Sequence, residues 1–122
     1  MDDRKGCCGP LPRCCDGGAI GSVSLDTAER WARWFQALAD PTRVRILALL
    51  ARHGKPLCVC DIVAHFQLGQ PTISHHLRTL REAGLVRATR RGVWVYYAPA
   101  SEGLAAVRAA LETLATTDAA VA

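Results

Sequence analysis

Two sets of residues in this 122-residue chain have types and spacings suited to chemistry. The first is a set of thiols: six cysteines, grouped as Cys7-Cys8, Cys14-Cys15 and Cys58-Val59-Cys60. Adjacent cysteines make poor disulfides with one another, and close sulfur pairs suit soft metal ions. No nitrogen-rich site accompanies them, since His75 and His76 are adjacent and His53 and His65 lack a ligand partner four residues on. All-sulfur ligation points to As(III) or Sb(III) held by three thiolates, or to Cd(II) or Pb(II) held by three or four. Zn(II) stays open because four-cysteine zinc sites are common. A buried cysteine can also simply fill a core, but Cys7, Cys8, Cys14 and Cys15 sit where there is little apolar mass to make one.

The second set lies in Gly69–Leu85, GQPTISHHLRTLREAGL. Ile73, Leu77 and Leu80 recur at the spacing of one buried helical stripe. Thr72, His75, Arg78 and Thr79 then fall on the opposite side, with no carboxylate before Glu82. Short polar groups plus arginine suit the donors and acceptors of DNA base edges in the major groove. A solvated surface helix has a similar pattern, and charge separates the two readings. Residues 70–91 hold Arg78, Arg81, Arg87, Arg90 and Arg91 against Glu82, which accounts for the whole net charge of +4. Excess positive charge confined to one helix and the segment after it is the footprint of a phosphate-contacting surface.

The elements that must position these residues follow from the hydrophobic pattern. Residues 1–24 read as a flexible cysteine-rich tail, because so little apolar surface cannot offset ordering entropy. Residues 25–117 form the folded domain, and 118–122 a disordered end. The start lacks the apolar run of a secretory signal, and no stretch approaches the roughly 18 apolar residues of a membrane span. Both absences place the chain in the cytoplasm, where thiols stay reduced.

A first helix is expected from about Asp26, with Glu29 completing a capping box and Trp31, Trp34, Phe35 and Leu38 as its stripe. Asp40-Pro41 marks a second start, N-cap then N1. Val44, Ile46, Leu47, Leu49 and Leu50 make that helix the central buried one, ended by Gly54. A short third helix follows over about Cys58–Phe66, then a brief turn, then the polar-faced helix with Gly69 at its N-cap and Gly84 past its end. That order is the helix-turn-helix pattern.

After Gly84 the period changes to two. Val86–Thr89 and Val93–Tyr97 read as a hairpin whose tip is Arg90-Arg91-Gly92, a wing able to reach phosphates. Ser101 caps a last helix whose Leu104, Val107, Leu111 and Leu114 make a seam for a dimer shared with Trp31 and Trp34.

Cys58 and Cys60 lie at the start of the third helix, where the macrodipole favours thiolates. On a regular helix residues two apart point about 200° from each other, so one ion binding both must loosen the first turn. Either tail pair can reach them at about 3.3 Å per residue, with Cys14-Cys15 weakly preferred over Cys7-Cys8 on loop-closure entropy.

Three runs carry a resemblance to a known family: Ala39-Asp40-Pro41-Thr42-Arg43-Val44-Arg45-Ile46-Leu47, Leu57-Cys58-Val59-Cys60-Asp61-Ile62, and Gln70-Pro71-Thr72-Ile73-Ser74-His75-His76-Leu77-Arg78-Thr79-Leu80. Together they resemble the ArsR/SmtB family of winged-helix metal-responsive repressors, over about residues 27–114. The resemblance implies a mainly α winged helix-turn-helix with a β-hairpin wing, a homodimer on double-stranded operator DNA of dyad symmetry, and release of DNA when metal binds. The Leu-Cys-Val-Cys-Asp signature is shared by arsenite and cadmium/lead sensors. Zinc and nickel members place Asp and His ligands on the last helix, and Ser101–Thr117 has no histidine.

The expected DNA contacts are Gln70, Thr72, Ser74, His75 and Arg78, with Arg90 and Arg91 on the backbone. Two other classes use the same cysteines. A redox regulator would form disulfides under oxidant, and a thiol enzyme would need a base beside its nucleophile. No Cys-His pairing is evident, so the chain does not read as an enzyme.

Overall fold

The computed structural model describes residues 22–116. Cys7, Cys8, Cys14, Cys15 and the expected disordered end at 118–122 lie outside the described residues.

Helix α1 (Leu25–Leu38) starts from Ser24, whose Oγ accepts the Thr27 N–H at 3.1 Å. The start therefore precedes Asp26, and Glu29 closes no capping box: a serine hydroxyl two residues earlier already satisfies the orphan donor. Helix α2 (Pro41–His53) begins as its sequence predicts. Asp40 Oδ1 accepts the N–H of Thr42 at 2.8 Å and of Arg43 at 3.3 Å, and Gly54 closes the helix at φ 79°. Partial desolvation raises the Asp40 carboxyl, but hydrogen bonds from the Arg43 and Thr42 amides and the positive charge of Arg43 outweigh it, leaving it below its ordinary value. Ile46 and Leu50 are fully buried, whereas Val44 is half exposed and stands outside the core.

A two-residue strand that no period could announce follows, β1 (Leu57–Cys58). Then come α3 (Val59–Ala64) and α4 (Gln70–Glu82), with Gly69 at the N-cap and Gly84 at φ 78° beyond the end. Strands β2 (Val86–Arg91) and β3 (Trp94–Pro99) pair antiparallel, and β1 joins the far edge of β3 with Leu57 opposite Tyr97 and Cys58 opposite Tyr96. The turn is Gly92-Val93, with Gly92 at φ 64°. Arg90 and Arg91 thus close β2, opposite Val95 and Trp94, rather than forming the loop itself. A two-residue turn opened by glycine matches the twist of the strands and lets pairing run to the end.

Helix α5 (Ser101–Ala115) has Ala100 at its N-cap, and Ser101 is its first turn rather than its cap. Ala100 is held from the other side, since its N–H donates to the Leu85 carbonyl at 3.0 Å. There α5 meets the end of α4 so closely that a Cβ on Gly103 would lie 1.8 Å from the Gly84 oxygen.

The fully buried side chains Ile46, Leu50, Ile62, Ile73, Leu77, Leu80 and Leu85 come from α2, α3, α4 and the residue leading into β2. Burying each contributes about 1.5–3 kcal/mol, so the polar-faced helix is anchored by the stripe its sequence announces. A short helix, a turn, an anchored helix and a hairpin behind it make a winged helix-turn-helix.

Candidate metal centre and nucleic-acid interface

The two expected sites are built around α3. Cys58 is at once the last residue of β1 and the N-cap of α3, with extended backbone at φ −76° and ψ 162°. Because it is not helical, its side chain does not diverge from that of Cys60. The two sulfurs lie 2.7 Å apart, and the Cys58 thiol donates to Asp61 Oδ2 at 3.3 Å. The expected opposition of about 200° belongs to a regular helix and does not hold here. No loosening of the helix is needed to bring the sulfurs together.

Cys58 is buried and Cys60 exposed, so one sulfur is fixed by the fold and the other faces solvent. The expected thiolate is also not what the geometry favours at Cys58. Its shared hydrogen bond with Cys60 pushes its pKa up, and the backbone at Asp61 only partly counters this.

Among the described residues, Cys58, Cys60 and Asp61 form the group of ligand atoms close enough to hold one metal ion, all within 4.8 Å of one another. Two sulfurs and a carboxylate oxygen fit a soft or borderline ion. Asp61 was absent from the expected ligands. Its signal was its place three residues after Cys58, which brings it beneath an N-cap side chain.

On α4 the structure separates the two faces. Gln70, Thr72, His75 and Arg78 are exposed, Ser74 is half-buried, and Ile73, Leu77 and Leu80 lie inside. Gly69 provides no side-chain cap and Pro71 has no N–H. The amides of Gln70 and Thr72 therefore have no acceptor among the described residues, while Ile73 N–H bonds to the Gly69 carbonyl at 3.1 Å. Free amides at a helix start form an anion-binding geometry. Arg90 and Arg91 are exposed at the far end of β2.

A contact that sequence reasoning missed holds α4 in place. Arg43 donates from Nε to the Ala37 carbonyl at 2.7 Å and from Nη1 to His76 Nδ1 at 3.1 Å. A guanidinium has only donors, so His76 Nδ1 is the acceptor and the ring proton sits on Nε2. One side chain thus ties the end of α1 to the inner side of α4. Nothing in the spacing of residues 33 apart announces it.

The expected dimer seam is uneven in burial. Val107 is buried and Leu104, Trp31 and Trp34 are half-buried, but Leu111 and Leu114 are 50% and 61% exposed. Among the described residues, no helix is long and apolar enough to cross a membrane.

Comparison with known proteins agrees with this architecture. The profile of the family described as bacterial regulatory protein, arsR family, matches residues 40–88, from the N-cap of α2 into β2. An uncharacterized HTH-type transcriptional regulator of Methanocaldococcus jannaschii is 47% identical over 73 residues, 60% of this chain and 81% of that protein. An arsenic resistance transcriptional regulator of Pseudomonas putida is 52% identical over 63 residues, 52% of this chain and 48% of that protein, so the chain spans about half its length. The solution structure of a homodimeric winged helix-turn-helix DNA-binding domain from Mycobacterium bovis, a possible ArsR-family regulator, superposes with a TM-score of 0.61. It is 33% identical, covering 79% of this chain and 89% of that one. With the motifs, the fold and these relatives in agreement, the chain belongs to the arsR family of bacterial regulatory proteins.

Proposed function

We propose that this protein is a metal(loid)-responsive transcriptional repressor that binds operator DNA of dyad symmetry as a homodimer and releases it when Cys58 and Cys60 take an ion. The observation that carries the reading is the position of Cys58. Its sulfur lies 2.7 Å from that of Cys60, and its backbone both ends β1 and caps α3. Strand β1 is paired to the wing strand β3, and α3 packs on α4. A change in what the Cys58 sulfur holds therefore acts on both parts of the DNA-reading surface.

In this reading Gln70, Thr72, Ser74, His75 and Arg78 contact DNA, and Arg90 and Arg91 hold its backbone. Trp31, Trp34, Leu104, Val107, Leu111 and Leu114 form the contact between two copies. The similarity to a regulator of arsenic resistance favours As(III) or Sb(III) as inducer. Three thiolates would then be needed, the third from Cys14, Cys15, Cys7 or Cys8.

A second reading rests on Asp61. A carboxylate oxygen beside two sulfurs suits Cd(II), Pb(II) or Zn(II) better than a trigonal arsenic site. One experiment separates the two. Fluorescence anisotropy of the reduced protein on its own promoter DNA is followed while arsenite, cadmium, lead and zinc are titrated separately. Release by arsenite at the lowest concentration supports three thiolates, and release by cadmium or lead first supports the mixed donor set. If no ion releases the DNA but peroxide with chelator does, the cysteines act as a redox switch instead.

A further inference from the structure

Helix α2 carries a second pattern beside its buried stripe. Arg45, Ala48, Leu49 and Arg52 follow one another at i, i+3, i+4 and i+7, so they share one side of the helix. That side has a cation at each end and an apolar middle. With His65 and Phe66, just past α3, these residues line a solvent-open cleft of about 430 Å³. Small-molecule sites occupy roughly 300–1,000 Å³. Neither the thiol pair nor the exposed face of α4 includes any of these side chains.

Solvated arginines on a helix are ordinary, but two observations set this pair apart. The Arg45 guanidinium lies over the Phe66 ring, 4.8 Å from its centroid. Stacking uses the guanidinium face and leaves its N–H edges free, so the fork is held ready for an oxyanion. The cations are also uncompensated. From Pro41 to Arg81 the chain has six Lys and Arg residues and a single acid, Asp61, which already accepts from the Cys58 thiol. Arg45 and Arg52 have no acidic partner among the described residues.

We propose that this cleft binds a small aromatic oxyanion, an aryl phosphate or an aromatic carboxylate. Arg52 and the free edge of Arg45 hold the charged group, and the His65 ring adds an N–H donor. The aromatic body covers Ala48, Leu49 and what Arg45 leaves of Phe66. Both parts of the ligand are needed. A bare phosphate leaves the apolar middle uncovered, and a neutral ring leaves two guanidiniums unanswered. A ligand held there ties α2 to the turn that leads into α4.

The test uses the reduced full chain without DNA, so its outcome does not depend on the repressor reading. Calorimetry at fixed ionic strength compares phenyl phosphate, inorganic phosphate and phenol. Phenyl phosphate is expected to bind about tenfold more tightly than inorganic phosphate, the scale of one buried apolar contact. Phenol should give no binding heat. Arg45→Gln and Arg52→Gln should each weaken phenyl phosphate about tenfold, the scale of a charge-assisted hydrogen bond. Amide NMR shifts at residues 45–52 and 65–66 would place the ligand in the cleft.

Equal binding of phenyl phosphate and inorganic phosphate would mean an adventitious ion only and overturn the inference. So would unchanged affinity in both arginine variants, or shifts confined to Gln70 and Thr72 at the start of α4. A last measurement separates this ligand from nucleic acid. Arg52→Gln should leave the slope of log K against log salt for operator binding unchanged. A shallower slope would assign Arg52 to the DNA backbone and overturn the inference while leaving the repressor reading intact.

Discussion

At the scale of single residues, the thiol pair decides the chemistry. Cys58→Ser is expected to keep DNA affinity and lose metal-triggered release, read by anisotropy; normal release from that variant would remove Cys58 from the site. The shared hydrogen bond with Cys60 holds the Cys58 proton on, so its pKa is raised. An ion must displace that proton, and the apparent affinity therefore climbs as pH rises through the ordinary thiol range and goes on climbing above it. An affinity independent of pH there would contradict the assignment. Asp40 works in the opposite sense, because its pKa is lowered in the folded state. The stability it contributes is present above its unfolded pKa and lost as pH falls through the folded one. Asp40→Asn should accordingly melt at a lower temperature than the unaltered protein at neutral pH, with the gap closing in acid. The cysteines and arginines of the two candidate sites were legible in the sequence, since their grouping is a property of composition, whereas Asp61 was not. Their geometry was not. Cys58 and Cys60 converge only because Cys58 is extended, and the Arg43–His76 contact joins two helices that the chain order does not reveal as neighbours.

At the scale of elements, α5 meets the end of α4 with no room for a side chain at Gly103. Gly103→Ala would drive a Cβ into the Gly84 carbonyl, backbone against backbone, so α5 must move away. Overpacking of this kind costs about 1–3 kcal/mol, to be read from urea denaturation; a variant as stable as the unaltered protein would show that the joint yields freely. Leu77→Ala on the inner stripe of α4 should cost more, about 2–5 kcal/mol, and weaken DNA binding by loosening the helix that presents Arg78. Helices with strong start signals were readable in place, as at Asp40-Pro41 and Gly69. Where two start signals competed, the sequence misled: Ser24 caps α1 in place of Asp26, and Ala100 precedes α5 although Ser101 is the better cap by type. Strand β1 was invisible, because a pair of residues has no period and its existence depends on β3 some 40 residues later.

At the scale of the whole molecule, Leu111 and Leu114 leave the far end of the α5 stripe exposed, and the proposed homodimer would cover them. Leu111→Asp with Leu114→Asp places charge where the proposed homodimer is apolar. Sedimentation should find this variant monomeric, with operator affinity sharply reduced; a variant that remains dimeric would move the interface elsewhere. Overall architecture was the most legible scale, because an amphipathic helix, a change of period and a closing helix in that order admit few arrangements. The uncapped start of α4 has a further meaning at this scale. Among the described residues the amides of Gln70 and Thr72 find no acceptor, and in the proposed complex a backbone phosphate would supply one. In the proposed complex the operator would then serve as the capping group that Gly69 does not provide. Fraying at this helix end and loss of DNA become two views of one equilibrium, and free sulfate or phosphate in the medium competes for the same two amides.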